Sequence, residues 1–149
     1  MNRVRTSIEI AATPQAVWDV VTDPQRLGDW VTLHRRLERA PDGPLRRGST
    51  MDQILHVPGA SFRVHWCAEQ VRAPSLLRWE GRGPVRSRAS ITYRLSSSAD
   101  GGTRFQYENE FKPPLGPLGA LAGRVVVEGF SRREAERTLE RLKQLLEAG

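Results

Sequence analysis

The feature that most constrains this chain is the stretch from Leu118 to Leu146, which carries a single apolar stripe. Placed at about 100° per residue, Leu118, Leu121, Val125, Ala135, Leu139, Leu142 and Leu146 fall in a sector of roughly 120°, the pattern of a helix lying on another layer. The spacing predicts one continuous helix over 118–146, roughly 43 Å long at about 1.5 Å per residue. A helix of that length calls for a curved sheet wrapped along it. Glu128 and Arg132 break the stripe on the same face, and their i,i+4 spacing lets them pair. A charged pair on an inward face points to a hollow rather than a filled core; the alternative is a local tilt that carries both groups to water. Gly123 and Gly129 lie in the same stretch, where each costs about 1 kcal/mol relative to Ala, so close packing or a bend is expected near one of them.

The partner for that helix is written upstream. Residues 3–10 alternate around Val4, Ile8 and Ile10 and read as a first strand. Thr13 and Pro14 then supply a cap and a first helical residue, with Ala16, Val17, Val20 and Val21 on the buried side. Asp23-Pro24 repeats the device and predicts a short helix over 24–29, after which Trp30 opens the next extended segment. Turn signals follow at Pro41-Asp42-Gly43-Pro44, Pro58-Gly59, Ala73-Pro74-Ser75, Gly81-Arg82-Gly83-Pro84 and Asp100-Gly101-Gly102. Between and around them lie six strands, near 32–40, 48–57, 61–71, 75–81, 86–96 and 103–112. That spacing favours an antiparallel meander over βαβ units. Alternation assigns the faces: Phe62, Val64, Trp66 and Ala68 inward, with Arg63, His65, Cys67 and Glu69 outward. Ala89, Ile91, Tyr93 and Leu95 share one face of the next-to-last strand, and Phe105, Tyr107, Asn109 and Phe111 one face of the last. The fold class is therefore α+β: a seven-stranded antiparallel sheet curved around a long C-terminal helix, with two short helices after the first strand.

Length and composition limit the classes of function. The 149 residues suit one domain, 1–149, and hydrophobic content of 38% with 27% charge suits a globular protein. No apolar run approaches the ~20 residues of a membrane span, and the opening residues lead straight into a strand, so a cytoplasmic location is expected. Cys67 is the only cysteine, which excludes an internal disulfide and a multi-cysteine metal site. The formal net charge is +6, but Lys112 and Lys143 are the only lysines, and the arginines are spread along the chain and interrupted by acids. No zinc finger, aromatic RNA-binding signature or helix-turn-helix accompanies them, so no specific nucleic-acid partner is expected.

Catalytic motifs are missing as well: there is no HExxH, GxSxG, P-loop or complete GxGxxG. His34, His56 and His65 come from separate strands, and parity turns the last two outward, so neither a metal nor a cofactor is expected. His34 follows Trp30 near the expected pocket mouth. The inward polar set is more informative. Tyr93, Tyr107 and Asn109 on adjacent strands, with Glu128 and Arg132 on the helix, can orient a ligand, while Phe62, Trp66, Trp79 and Phe105 supply flat apolar walls. The alternative is that both tyrosine hydroxyls reach the rim and Asn109 bonds to backbone.

The order of elements is the helix-grip arrangement, and several motifs carry a family resemblance. They are Ala12-Thr13-Pro14-x-x-Val17-Trp18, Asp23-Pro24-x-Arg26-x-x-x-Trp30, Gly48-Ser49, Pro74-x-x-Leu77-x-Trp79 and Gly102-Thr103-Arg104-x-x-Tyr107-x-x-Glu110-Phe111. Together they resemble the START/pollen-allergen-like (SRPBCC) superfamily, in its bacterial polyketide cyclase/dehydrase and lipid-transport branch. The resemblance implies a small hydrophobic or aromatic ligand, of lipid or polyketide type, held between sheet and helix. A cyclase/dehydrase-type enzyme is the alternative it implies, with Tyr107 or His34 as acid and Glu128 as base, although no catalytic residue is assigned. The segment from Asp23 through Trp30 to His34 also resembles members described as toxins of toxin–antitoxin pairs, which would require a protein partner.

Overall fold

The computed structural model describes residues 2–112 and 131–148. Its first elements follow from two capping residues. After strand β1 (Asn2–Ile10), Thr13 Oγ1 accepts the Ala16 amide at 3.2 Å and starts helix α1 (Pro14–Val21) with proline in its first turn. Asp23 accepts the Gln25 amide at 3.0 Å and starts a 3₁₀ turn, Pro24–Arg26, that runs into helix α2 (Leu27–Trp30). Trp30 thus closes a helix instead of opening a strand. Its ring is fully buried, and the extended segment begins four residues later at His34.

The meander follows as β2 (His34–Arg39), β3 (Thr50–Val57), β4 (Ala60–Arg72), β5 (Leu76–Arg82), β6 (Arg88–Ser97) and β7 (Thr103–Lys112). Each strand pairs antiparallel with the next, and β1 pairs with β7, giving the order β1-β7-β6-β5-β4-β3-β2. All seven expected strands are present. Parity holds along β4 up to Ala68, where a register shift between Ala68 and Gln70 skips Glu69 and brings Val71 against the core. Gly81 is required where it stands. A Cβ there would lie 2.6 Å from the Trp66 ring and 2.8 Å from Val64, so only glycine lets the indole lie across β5.

Helix α3 (Arg132–Glu147) covers one side of the sheet by burying Ala135, Thr138, Leu139 and Leu142. This is the helix-grip fold. The continuous helix expected over 118–146 is corrected at Ser131, which is extended (φ −65°, ψ 162°) and whose Oγ accepts the Glu134 amide at 3.2 Å. Ser131-x-x-Glu134 is a helix start signal embedded in the apolar stripe, and it outweighs the periodicity. The earlier part of the stripe, with Leu118, Leu121 and Val125 and the two glycines 123 and 129, lies outside the described residues. Polar ties hold α3 in place: Thr32 N and Oγ1 meet Thr138 Oγ1 at 3.1 and 2.9 Å, Lys143 donates to the Glu9 carbonyl at 2.7 Å, and Glu147 accepts the Ala11 amide at 2.8 Å.

Candidate functional site

Between α2, α3 and the inner face of the sheet lies a small cavity. Trp30, Val31 and Leu33 line it from the α2 side, Met51, Gln53 and Leu55 from β3, Trp66 and Trp79 from β4 and β5, Ile91, Tyr93, Tyr107 and Asn109 from β6 and β7, and Glu134, Ala135 and Thr138 from α3. The register explains the convergence. Tyr93 stands directly opposite Tyr107, and Ile91 is flanked by Trp79 on one side and Asn109 on the other. Their alternate neighbours along each strand point to the other face.

Several polar groups in this wall are paired with one another. Trp66 Nε1 donates to Gln53 Oε1 at 2.8 Å, and because an indole N–H is only a donor, it fixes the orientation of the Gln53 amide. Gln53 Nε2, 2.9 Å from His34 Nδ1, must then donate to it, so the imidazole carries its proton on Nε2. Burial holds the His34 pKa below its ordinary 6.5, consistent with a neutral ring whose Nδ1 is used as an acceptor. On the opposite wall Asn109 Nδ2 donates to the Tyr107 hydroxyl at 3.2 Å. Burial raises the pKa of Tyr107, the bond from Asn109 opposing it in part, and pushes Tyr93 well up with a further contribution from neighbouring Tyr107. Both phenols are therefore neutral hydroxyls at physiological pH. Their rings are stacked, centroids 6.0 Å apart at 26°, and Tyr93 meets the Trp30 ring at 5.7 Å.

One group breaks the pattern. Trp30 Nε1 is buried and has no hydrogen-bond partner among the described residues. An unsatisfied buried donor costs about 1–3 kcal/mol, so this position stands out against walls whose other fully buried side-chain donors are matched.

The cavity measures about 50 Å³, and its exposed lining is mostly apolar. That holds water, and is well below the roughly 300–1,000 Å³ that encloses a drug-sized ligand.

Of the residues expected at the site, the structure brings together Trp30, Trp66, Trp79, Tyr93, Tyr107 and Asn109. His34 reaches it through Gln53. Phe105 is wholly buried behind the wall, packed on Trp30 and Tyr93 at 6.4 and 5.4 Å. Phe62 lies elsewhere, around a separate space of about 10 Å³ with Val64, Ala89 and Phe111. Arg132 is corrected outright. Its side chain is 70% exposed, it donates to the Arg5 carbonyl at 2.9 Å, and Nε lies 3.8 Å from Glu136. With the helix starting at 132, Arg132 sits about 70° from the centre of the buried stripe, on the β1 flank. Glu128 lies outside the described residues. Three further polar lining residues, Gln53, Glu134 and Thr138, are not singled out by sequence reasoning. Gln53 is a polar residue in the alternation Met51, Gln53, Leu55, Val57, and Glu134 with Thr138 forms the i,i+4 polar border of the stripe. Both signals are in the sequence once the helix start is known.

Among the described residues there is no group of three or more His, Cys, Asp or Glu that could hold a metal ion. No described helix is long and apolar enough to cross a membrane. His56 and His65 are exposed on the outer face, bonded to Ser61 and Asp52.

Fold and cavity together define a helix-grip protein with a small pocket between sheet and helix. The family described as polyketide cyclase/dehydrase and lipid transport matches residues 1–147, and the chain belongs to that family. A solved structure from Thermus thermophilus has a TM-score of 0.78 at 17% identity, covering 99% of this chain and 98% of the other. Another, of a protein in the dynemicin biosynthetic locus, has a TM-score of 0.66 at 18% identity and covers 99% of this chain but 48% of its own. An uncharacterised protein of Mycobacterium tuberculosis is 23% identical over 146 residues, covering 97% of this chain and 99% of the relative. A protein of the same organism named as a toxin is 20% identical over 123 residues, 81% of this chain and 85% of the relative.

Proposed function

We propose that the chain binds a small aromatic or hydrophobic molecule carrying at least one hydrogen-bond acceptor, of lipid or polyketide type, in the cavity between the sheet and α3. The observation that carries this reading is the indole N–H of Trp30, a fully buried side-chain donor without a hydrogen-bond partner among the described residues. The ligand's acceptor, a carbonyl or hydroxyl oxygen, is its partner, with the neutral hydroxyls of Tyr93 and Tyr107 as further donors. The family supports the class of ligand, and with a cavity of about 50 Å³ a ligand of this class has to widen the site on binding. Widening falls on Val31 and Leu33, in the connection between α2 and β2 that the Thr32–Thr138 bonds hold against α3.

A second reading, a cyclase or dehydrase, draws on one observation: Glu134 and Tyr107 line the same cavity from α3 and β7, which supports a base and a donor approaching a ligand from two sides. Glu134 would take the part that sequence reasoning gives to Glu128.

A melting and native mass-spectrometry screen with fatty acids, isoprenoids and polyphenols tests both. A ligand at about 100-fold over its Kd stabilises by about 2.7 kcal/mol, a shift that a melting scan reads directly. Trp30→Phe should weaken the hit by about tenfold, and removal of the unsatisfied donor should offset part of the packing lost at this fully buried ring. If no compound shifts the wild type, the binding reading fails and a protein-partner role is the better account. Turnover of a bound compound, lost in Glu134→Gln with binding intact, would establish the enzyme.

A further inference from the structure

The outer face of the sheet carries a second site, unrelated in chemistry to the cavity. A groove of about 1030 Å³ runs over β4, β5 and the start of β6, lined by Arg47, Arg72, Arg78, Arg82 and Arg88 against Glu69 and Glu80. Only Arg78 is matched there, with Nε and Nη2 at 3.0 and 2.6 Å from Glu80 Oε1. No ion pair is formed by Arg47, Arg72, Arg82 or Arg88 among the described residues.

The register makes this more than a scatter of arginines. Arg82 pairs directly across from Arg88, and Arg88 directly across from Lys112, so three cations stand in line across three adjacent strands. Like charges directly opposite on neighbouring strands destabilise a sheet. Elsewhere on the same face the protein avoids this: Arg3 and Arg5 stand beside Glu108, and Arg63 meets Glu38. A repulsive row beside unpaired arginines is a surface arranged for an anion that comes from outside.

We propose that this groove docks an acidic segment of a partner polypeptide. Two features favour carboxylates over a nucleic-acid backbone. Glu69 and Glu80 interrupt the positive surface that evenly spaced phosphates would follow, and the groove lining contains no Phe, Tyr or Trp on which a base could stack, its one imidazole, His65, being tied to Asp52. An extended acidic segment with alternating carboxylates matches separate cationic spots, and β-spaced side chains on one face lie about 7 Å apart.

The test is fluorescence anisotropy with the full chain and three probes: a synthetic peptide alternating Glu and Thr, the same peptide with Gln for Glu, and single-stranded DNA of equal length. The acidic peptide should bind at low salt and weaken as salt rises, and the Gln peptide should not bind. The double variant R82Q/R88Q should lose about tenfold in affinity while melting at the same temperature as wild type or higher, because the cross-strand repulsion is relieved. A variant that melts lower yet binds equally well overturns the proposal, as does a failure of the acidic peptide to bind at low salt. Tighter binding of the DNA than of the peptide, abolished by the same variant, overturns it in favour of nucleic acid.

Discussion

The two faces of this sheet treat polar groups in opposite ways. On the inner face Gln53 is shared between Trp66 and His34, and Asn109 is bonded to Tyr107, so that Trp30 Nε1 is the unmatched buried donor. On the outer face Arg82, Arg88 and Lys112 stand in a row without counter-ions among the described residues. Water explains why the second is tolerated: an exposed charge keeps its hydration, whereas an enclosed N–H without an acceptor loses the full value of one. An unpaired group is therefore informative by itself only inside. Outside, it becomes informative when register shows that like charges were set against each other.

The difference between the faces should show most strongly where α3 closes over the inner one. If α3 grips that face, Leu142→Ala should cost about 2–5 kcal/mol in chemical denaturation, because Leu142 is fully buried against the core. A loss below that range would mean the helix contributes little to the enclosure. A smaller effect is expected at Gly81, which separates the two faces. Gly81→Ala should cost about 1–3 kcal/mol through overpacking, since its Cβ would meet the Trp66 ring at 2.6 Å. The same change should disturb the bond from Trp66 to Gln53, visible in the indole N–H resonance of Trp66.

Smallest is the pH dependence of the His34 link. Its folded pKa lies below the ordinary 6.5, so the unfolded chain takes up this proton first as pH falls. The stability it contributes is complete above about pH 6.5 and declines as pH drops toward the lowered native value. His34→Gln, which keeps an acceptor for the Gln53 amide, should melt with a shallower pH dependence than wild type between about pH 7 and about pH 5. Parallel curves would mean that His34 does not stay neutral in the fold.

Much of the inner face can be read from the chain because strand parity is a local property. Trp66, Trp79, Tyr93, Tyr107 and Asn109 fall on the expected face, and Thr13-Pro14 and Asp23-Pro24 mark the helix starts. What is misread depends on competition between signals or on contacts distant in sequence. The stripe from Leu118 to Leu146 is periodic across Ser131, yet a hydrogen bond from the Glu134 amide starts the helix there and turns Arg132 outward. Phe62 has the right parity but lies too far along β4 to reach the cavity. The row Arg82, Arg88, Lys112 is hidden in the sequence because cross-strand register is set by turn geometry and bulges, and not by either strand alone.

If the Trp30 indole binds a ligand acceptor, its own N–H resonance reports the bond without intermediaries. In a ¹H–¹⁵N spectrum of the uniformly labelled protein, assigned with Trp30→Phe and Trp66→Phe, a hit from the ligand screen should move the Trp30 signal strongly downfield as the hydrogen bond forms. The Trp66 signal, already bonded to Gln53 at 2.8 Å, should move little. A ligand that binds and shifts Trp66 or other indoles while leaving Trp30 in place would contradict the account.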